Sequence, residues 1–362
     1  MTKNKKEQNI NAEHEDHGKL IDVSDIKPER TYTDVELFAG GGGLALGLEQ
    51  AGFKNAMCLE SDLNPVKTLK RNRPDWNVIR KDIRKVGSFR DLLLNPNQKI
   101  DLLSGGYPCN SFSYIGKRLG LKDTRGTLFY EYARTLKELQ PKMFLVENVK
   151  GLVTMDHGQT LNTMIKVFED IGYKVRFRVL NAWNYGVPEK RVRMIMVGIR
   201  NDLNISFSYP KEHDYKPVLR DALKDVPDSV GATYSKAKAD VLKLVPEGGN
   251  WKNLPVAVAK AYMGKSYYSG GGKTGIARRL AWNEPSLTLT TSPSQKQTER
   301  CHPTETRPLT TREYARIQAF PDNWQFAGGV TSIYKQIGNA VPVNLAKDIG
   351  LAVINTLNQL HL

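Results

Sequence analysis

The chain has 362 residues, more than one hydrophobic core usually holds, and its size suggests about two domains. Its 53 Lys and Arg residues against 38 Asp and Glu residues give a formal net charge of +15, which favours a polyanionic partner over a neutral metabolite. The charge alone is equally compatible with a basic protein that binds no polyanion.

The three cysteines, Cys58, Cys109 and Cys301, are widely spaced and lack CxxC or zinc-ligand spacing, which argues against a disulfide framework and against a metal site. The N-terminus has no apolar signal region, and the chain has no run of about 18 apolar residues. We therefore expect a cytoplasmic protein that has no metal and no membrane association.

Residues 1–30 are polar, mixed in charge and almost free of aromatic side chains. Such a segment buries too little apolar surface to offset the entropy lost on ordering. The composition predicts a mobile N-terminal arm.

Short apolar runs alternate with helical patterns from residue 31 to residue 200, which is typical of a doubly wound α/β sheet. We predict strands at 34–38, 55–60, near 76–83 and at 100–106, 143–149, 174–182 and 193–199. Helices are predicted at 44–53, 64–72, 127–139 and 159–173. The result is a Rossmann-like sheet of about seven strands.

The composition of the chain changes after Arg200, where Pro, Gly, Ser and Thr become frequent and the regular hydrophobic periodicity ends. We predict a second, smaller and loop-rich domain over 201–329. From Tyr334 the chain becomes apolar again, so residues 330–362 are expected to complete the first domain, 31–200.

Ligands of a doubly wound sheet bind beyond the carboxyl ends of its strands. Residues with functional potential follow five predicted strands in turn: the glycines at 40–43, Glu60, Asp82, Cys109 and Glu147. The glycine-rich turn alone is compatible with NAD, FAD, a nucleotide or S-adenosylmethionine. Glu60 suits a ribose, and Asp82 either receives an adenine amine or caps the next turn.

Cys109 follows Gly105, Gly106 and Pro108. A free cysteine is usually a small buried hydrophobe, but this bend is rigid and leaves room for a ligand close to the backbone. A nucleophile needs such a placement, and positive charge from Arg191 or Arg193 would favour its thiolate. The alternative for both arginines is salt bridging at the start of a strand.

Glu147 ends an apolar strand, which favours the neutral, protonated form of its carboxyl group. A protonated glutamic acid can donate a hydrogen bond, as a general acid must. The alternative is a strand-end carboxylate paired with Arg or Lys.

In their order and spacing, these motifs resemble the DNA (cytosine-5-)-methyltransferases of bacterial restriction-modification systems. The resemblance covers the chain from Val35 to about Leu345. The matching blocks are ELFAGGGGLALGL, Glu60, KDI at 81–83, GGYPCNSFS, DTRGTLFYEYAR, ENVKGL, PEKRVRMIMVG, RPLTTREYARIQAFPDNW and YKQIGNAVPVNLA.

The resemblance implies methyl transfer to carbon 5 of a cytosine that is flipped out of double-stranded DNA. Cys109 would add to carbon 6 as a thiolate, while Glu147 holds and protonates N3. Arg191 would contact the ring carbonyl, with Arg193 supporting it. The loop that contains Ser111 would close over the flipped base.

The implied methyl donor is S-adenosylmethionine. Its methionine part would lie near Phe38, Gly40 and Gly42, and its ribose on Glu60. The resemblance assigns the rest of the pocket to Asp82, Ile83, Leu128 and Asn339. It further implies a monomer, a cognate restriction endonuclease acting on the same DNA site, and target recognition by 201–329.

Two positions depart from the family pattern, Asn110 and Glu189, where the family usually has Gln. Asn110 keeps the amide with a shorter reach, and Glu189 changes the charge beside Arg191. The role of Arg191 is therefore less firmly implied than that of Cys109.

The main alternative is an RNA (tRNA) cytosine-5 methyltransferase with the same catalytic fold. It would keep Cys109 and Glu147, but the long loop-rich region favours reading of a duplex. A DNA-binding regulator with an inactive catalytic fold and a nicotinamide dehydrogenase fit the motifs less well.

Overall fold

The computed structural model describes residues 13–108, 128–269 and 274–361. Their strands are β1 (Tyr32–Leu37), β2 (Phe53–Glu60), β3 (Val78–Arg80), β4 (Leu102–Gly105), β5 (Met143–Val149), β6 (Tyr173–Asn181), β7 (Glu189–Lys190), β8 (Val192–Arg200) and β9 (Ser286–Leu287). Their helices are α1 (Gly43–Ala51), α2 (Leu63–Asn72), α3 (Leu128–Leu139), α4 (Gln159–Ile171), α5 (Leu219–Ala222), α6 (Lys236–Leu242), α7 (Val256–Met263), α8 (Thr311–Ile317), α9 (Val330–Asn339) and α10 (Val343–Asn358).

A sheet of seven strands organises the described part of the chain, in the order β3-β2-β1-β4-β5-β8-β6. The first five strands are parallel, and β8 runs antiparallel to both of its neighbours. Strand order reverses between β1 and β4, which makes that junction the topological switch point where ligands bind. The predicted doubly wound sheet is confirmed.

The sheet is buried because its strands carry apolar side chains that pack against flanking helices. Val35 and Leu37 of β1 and Phe144 and Val146 of β5 belong to one core cluster and are completely buried. The amphipathic helices α3 and α4 contribute aromatic rings to the same cluster, among them Phe129, Tyr132 and Phe168. This packing fixes the strand ends on which the site is built.

The third strand is shorter than its sequence pattern suggested. It ends at Arg80, and Ile83–Lys85 form a 3-10 turn instead of its last residues. Asp82 precedes this turn, and its carboxylate accepts a hydrogen bond from the Arg84 backbone amide. Asp82 therefore caps the turn, which is one of the two roles that the sequence allowed, and the strand ends before it.

Residues 13–30, part of the predicted mobile arm, make contacts with other described parts of the chain. The Phe177 amide of β6 donates to the His14 carbonyl at 3.0 Å, and the Asp16 amide donates to the Phe177 carbonyl at 2.8 Å. Arg30 forms an ion pair with Asp101. The polar composition of the segment does not reveal these contacts, since both bonds to Phe177 join backbone groups.

The described residues divide into two compact units. The first contains those up to Asn181 together with 192–212 and 345–361, and the second contains 182–191 and 213–344. The second unit has short helices, α5 to α9, and the two-stranded β7–β9 pair among its described residues. Its proposed part in DNA recognition stays a prediction.

One described stretch, Val330–Asn358, has the length and average hydropathy of a membrane span. It consists of two helices, α9 and α10, and 78% of its apolar window is buried inside the protein. Buried core helices pass the same test of length and composition, so this is weak evidence for a span.

Candidate active site

The loop after β1 is shaped by left-handed backbone conformations. Phe38 has φ 58°, Gly40 has φ 52° and Gly42 has φ 88°. Such angles are costly for residues with a side chain, so Phe38 is held in a strained conformation. Gly42 lies at the N-terminus of α1, so the loop passes directly into that helix.

Glu60, the last residue of β2, anchors this loop. Its Oε2 accepts a hydrogen bond from the Gly40 amide at 2.8 Å, and its Oε1 accepts the amides of Ser61 at 2.7 Å and Asp62 at 2.8 Å. Both oxygens are thereby oriented by backbone donors. Carboxylates with several amide donors are preorganised acceptors.

A cavity of about 290 Å³ opens beside Glu60 in the first unit. Five predicted cofactor residues line it: Phe38, Glu60, Asp82, Ile83 and Leu128. Four further residues line it that the sequence reasoning did not select: Leu59, Ser61, Lys81 and Arg84. They are sequence neighbours of the predicted residues, so a wider window around each strand end would have included them.

The Asp82 carboxylate is held by Arg84. The Arg84 guanidinium donates to Oδ1 at 3.0 Å and to Oδ2 at 2.6 Å. This hydrogen-bonded ion pair lowers the pKa of Asp82 to about 2. Asp82 is therefore a constant anion at the cavity wall over the physiological pH range.

Glu147 and Arg193 form an ion pair at the end of the sheet. Arg193 Nε lies 2.9 Å from Glu147 Oε1, and each side chain is only 13% exposed. Glu147 is thus a strand-end carboxylate paired with an arginine, which is the alternative that the sequence left open.

Close packing holds the Glu147 carboxyl against the end of β4. A side chain at Gly106 would bring its Cβ to 3.1 Å from Glu147 Oε2. Asn148, which the sequence reasoning did not select, donates from Nδ2 to the Tyr107 carbonyl at 3.0 Å. These contacts fix the backbone that leads through Pro108 towards position 109.

Cys109 itself lies outside the described residues, as do Asn110, Ser111 and the rest of the predicted catalytic loop up to residue 127. The role of Cys109 stays a prediction.

Arg191 contacts backbone carbonyl groups. It is 2% exposed in the second unit, and its guanidinium donates to the carbonyls of Gly338 at 2.9 Å, Ala340 at 3.0 Å and Leu289 at 3.3 Å. All three partners are backbone carbonyls of the second unit, and the predicted contact of Arg191 with the ring carbonyl of a base stays a prediction. Arg193, assigned a supporting role, is the arginine beside Glu147.

Glu189 is completely buried in the second unit and accepts the Leu289 amide at 2.7 Å. Its Oε1 lies 3.5 Å from Arg191 Nη1. Glu189, which stands where the family usually has Gln, therefore supports the pairing of β7 with β9. Asn339 ends α9 in the same unit, and its part in a cofactor site stays a prediction.

Two buried acids lie on β1 beneath the glycine loop. Asp34 and Glu36 are 1% and 2% exposed, and Asp34 Oδ2 accepts a hydrogen bond from Ser104 Oγ at 3.1 Å. Burial raises the pKa of Asp34 to about 8 and raises the pKa of Glu36 as well. Neither acid is needed by the predicted chemistry.

The family of C-5 cytosine-specific DNA methylases matches residues 32–355. The chain belongs to this family. It is therefore a DNA (cytosine-5-)-methyltransferase, of the type found in restriction-modification systems.

Relatives support the same assignment at high identity. The chain is 56% identical over 346 residues to the Type II methyltransferase M.Sau96I of Staphylococcus aureus, a match that covers 94% of this chain and 80% of the relative. It is 58% identical over 343 residues to the Type II methyltransferase M.PspPI of a Psychrobacter strain, covering 92% of this chain and 81% of the relative.

Solved structures share the fold. An Escherichia coli prophage-encoded protein described as a DNA modification methyltransferase is 25% identical with a TM-score of 0.68, covering 91% of this chain and all of its own. DNMT2 of Spodoptera frugiperda is 17% identical with a TM-score of 0.64, covering 90% of this chain and all of its own. The second likeness concerns the fold alone.

Proposed function

We propose that this methyltransferase transfers a methyl group from S-adenosylmethionine to carbon 5 of a cytosine flipped out of duplex DNA, through a covalent adduct with Cys109. The observation that carries the proposal is the set of strand ends in the first unit. They hold the acid-lined cavity after β1, β2 and β3 and the Glu147–Arg193 pair at the end of β5.

The residues around the cavity fit S-adenosylmethionine by their chemistry. The Glu60 carboxylate suits the two ribose hydroxyls, and the Asp82 carboxylate suits the exocyclic amine of adenine. Phe38, Ile83 and Leu128 supply apolar surface for the flat adenine ring. When bound, the cofactor supplies an electrophilic methyl group on a sulfonium centre.

Cys109 would start the reaction because carbon 5 of cytosine is a poor nucleophile. Its thiolate would add to carbon 6, so the electrons of the ring double bond would become available at carbon 5. Carbon 5 would then take the methyl group as the bond from the methyl carbon to the sulfonium sulfur breaks, which leaves the neutral thioether S-adenosylhomocysteine. A base then removes the carbon 5 proton, and the carbon–sulfur bond breaks to return the thiolate.

Glu147 and Arg193 would hold the target ring during these steps. Glu147 contacts the exocyclic amine and N3, and a proton on its carboxyl stabilises N3 as carbon 6 is attacked. We assign the contact with the ring carbonyl to Arg193, because its guanidinium already lies beside Glu147. Arg191 instead has a structural role in the second unit.

Target recognition is assigned to the second unit, which would read bases and phosphates of duplex DNA. The formal charge of +15 favours such a partner. We further propose a cytoplasmic monomer that protects DNA sites from a cognate restriction endonuclease.

Trapping on a fluorinated substrate tests this proposal. Duplex DNA with 5-fluorocytosine at the target should form a stable covalent complex, since fluorine cannot leave as a proton does. Cys109→Ser should abolish the complex and methyl transfer while it retains DNA binding. Turnover by Cys109→Ser would remove the cysteine from its role. Bisulfite sequencing of DNA from expressing cells then identifies the target sequence.

An RNA (tRNA) cytosine-5 methyltransferase is the second candidate. The likeness to DNMT2 extends to the fold only. Tritiated S-adenosylmethionine, offered with genomic DNA and tRNA in parallel, separates the two activities. Label in tRNA alone would overturn the proposal of a DNA substrate.

A further inference from the structure

The side chain of Arg84 stands at the wall of the cofactor cavity and is committed to one partner, Asp82. It donates from Nε to Oδ1 at 3.0 Å and to Oδ2 at 3.2 Å, and from Nη2 to Oδ2 at 2.6 Å. Both residues line the cavity. The guanidinium therefore approaches the carboxylate side-on as a two-nitrogen fork.

The fork restricts the rotation of the Asp82 carboxylate. Oδ1 also accepts the Arg84 backbone amide at 3.0 Å, so backbone and side chain of one residue fix both oxygens. A carboxylate offers about four acceptor positions. Three N–H groups of Arg84 donate to that of Asp82, with Nε–H shared between Oδ1 and Oδ2. The carboxylate thus keeps acceptor capacity for one more donor.

We propose that Arg84 is a positioning residue for the cofactor, which orients the Asp82 carboxylate to accept the adenine amine and so sets the preference for a 6-amino purine. The inference rests on the proposed function, because it takes Asp82 as the adenine contact. The arginine itself touches neither the methyl group nor the target base in this assignment.

An alternative view of Arg84 is that of an ordinary surface ion pair. Its side chain is 57% exposed and that of Asp82 is 27% exposed. Exposed pairs contribute little to stability. Loss of Arg84 should then leave the fold intact, so its effect on ligand binding can be measured separately.

Two ligands that differ only at the purine provide the test: S-adenosylhomocysteine, with a 6-amino group, and S-inosylhomocysteine, with a 6-oxo group. The second ligand presents an acceptor to the Asp82 anion and should bind much more weakly to the wild-type enzyme. Isothermal titration calorimetry gives the dissociation constant of each ligand without turnover.

Arg84→Ala should weaken S-adenosylhomocysteine binding about 5-fold and leave S-inosylhomocysteine binding nearly unchanged. The discrimination, which is the ratio of the two dissociation constants, should therefore fall about 5-fold. The KM for S-adenosylmethionine should rise by the same factor at unchanged kcat. Arg84→Lys keeps the charge without the planar fork and should not restore the discrimination.

Lys85→Ala is the matched control, because Lys85 is an exposed cation of the same 3-10 turn outside the cavity wall. It should change neither constant. Unaltered discrimination in Arg84→Ala, or an equal loss in Lys85→Ala, would overturn the positioning role.

Asp82→Ala, which removes both acceptor oxygens, separates this inference from the function on which it rests. If the variant keeps the wild-type discrimination, Asp82 does not contact adenine and the cofactor assignment itself fails. If the variant loses the discrimination while Arg84→Ala retains it, the assignment of Asp82 stands and only the role of Arg84 is refuted.

Discussion

Arg193 Nε lies 2.9 Å from Glu147 Oε1 across the antiparallel pair of β5 and β8. The register places Arg193 opposite Val149, two residues beyond Glu147. Because side chains alternate along a strand, Val149 and Glu147 face the same side as Arg193, which reaches the acid diagonally. The register of the sheet thus decides which arginine stands at the acid.

Replacing Arg193 should therefore impair catalysis with little effect on folding. Arg193→Ala should lower kcat about 100-fold, since it removes one preorganised donor from the target base and from Glu147. Arg191→Ala should lower stability by at least about 2 kcal/mol, because it leaves buried backbone carbonyls without donors. Tritium transfer and thermal melting of both variants measure the contrast. Equal losses of stability would contradict the division of roles.

The sequence was sufficient for the sheet and for the strand ends, because apolar alternation and glycine-rich turns are local signals. It could not choose between Arg191 and Arg193. The two residues are two positions apart, so a period of two assigns both to one face of a strand. The two arginines differ because Arg191 precedes β8 and donates to backbone carbonyls about 100 to 150 residues away in sequence, whereas Arg193 lies on β8.

Two other differences between prediction and structure have separate causes. Residues 13–30 are held partly by main-chain groups of β6, which composition does not encode. The link between Asp82 and Arg84 depends on a 3-10 turn that replaces the last residues of a predicted strand. Local patterns therefore predicted the strand ends that line the cavity, and contacts made on folding decide the partners of their side chains.

Gly106 is expected to be intolerant of any side chain because of its distance to Glu147. Gly106→Ala would place a Cβ 3.1 Å from Glu147 Oε2 and 3.3 Å from the Glu147 carbonyl, so the acid must move. Methyl transfer should fall at least about 10-fold at a nearly unchanged melting temperature. Gly151→Ala, which meets no atom within 4 Å, is the control. Wild-type activity in Gly106→Ala would show that the acid has room to adjust.

Asn148 should support the reactive cysteine through the backbone. Its Nδ2 donates to the Tyr107 carbonyl at 3.0 Å, two residues before Cys109, and the side chain is 4% exposed. Asn148→Ala should cost about 1–3 kcal/mol of stability and slow formation of the 5-fluorocytosine adduct. Asn162→Ala, an exposed asparagine on α4, should alter neither. Adduct formation at the wild-type rate would separate Asn148 from the positioning of Cys109.

Because burial raises the pKa of Asp34 and of Glu36, we predict that the enzyme loses stability as the pH rises. Burial raises the pKa of Asp34 from 3.8 to about 8, so the folded chain binds a proton that the unfolded chain releases between these values. Unfolding free energy then falls with increasing pH, by up to about 1.4 kcal/mol per pH unit for this acid, and levels off above the folded pKa. Burial acts in the same direction on Glu36.

Asp34→Asn should remove the contribution of Asp34 to the fall in unfolding free energy with pH. The amide is isosteric with the neutral acid and can still accept a hydrogen bond from the Ser104 hydroxyl. Urea unfolding at pH 6, 7 and 8 should show the variant gaining stability over the wild type as the pH rises. Asp75→Asn, at an exposed acid of the same unit, should follow the wild type. Parallel pH profiles for Asp34→Asn and the wild type would mean that the Asp34 carboxyl is charged in the folded enzyme and stabilised by its surroundings.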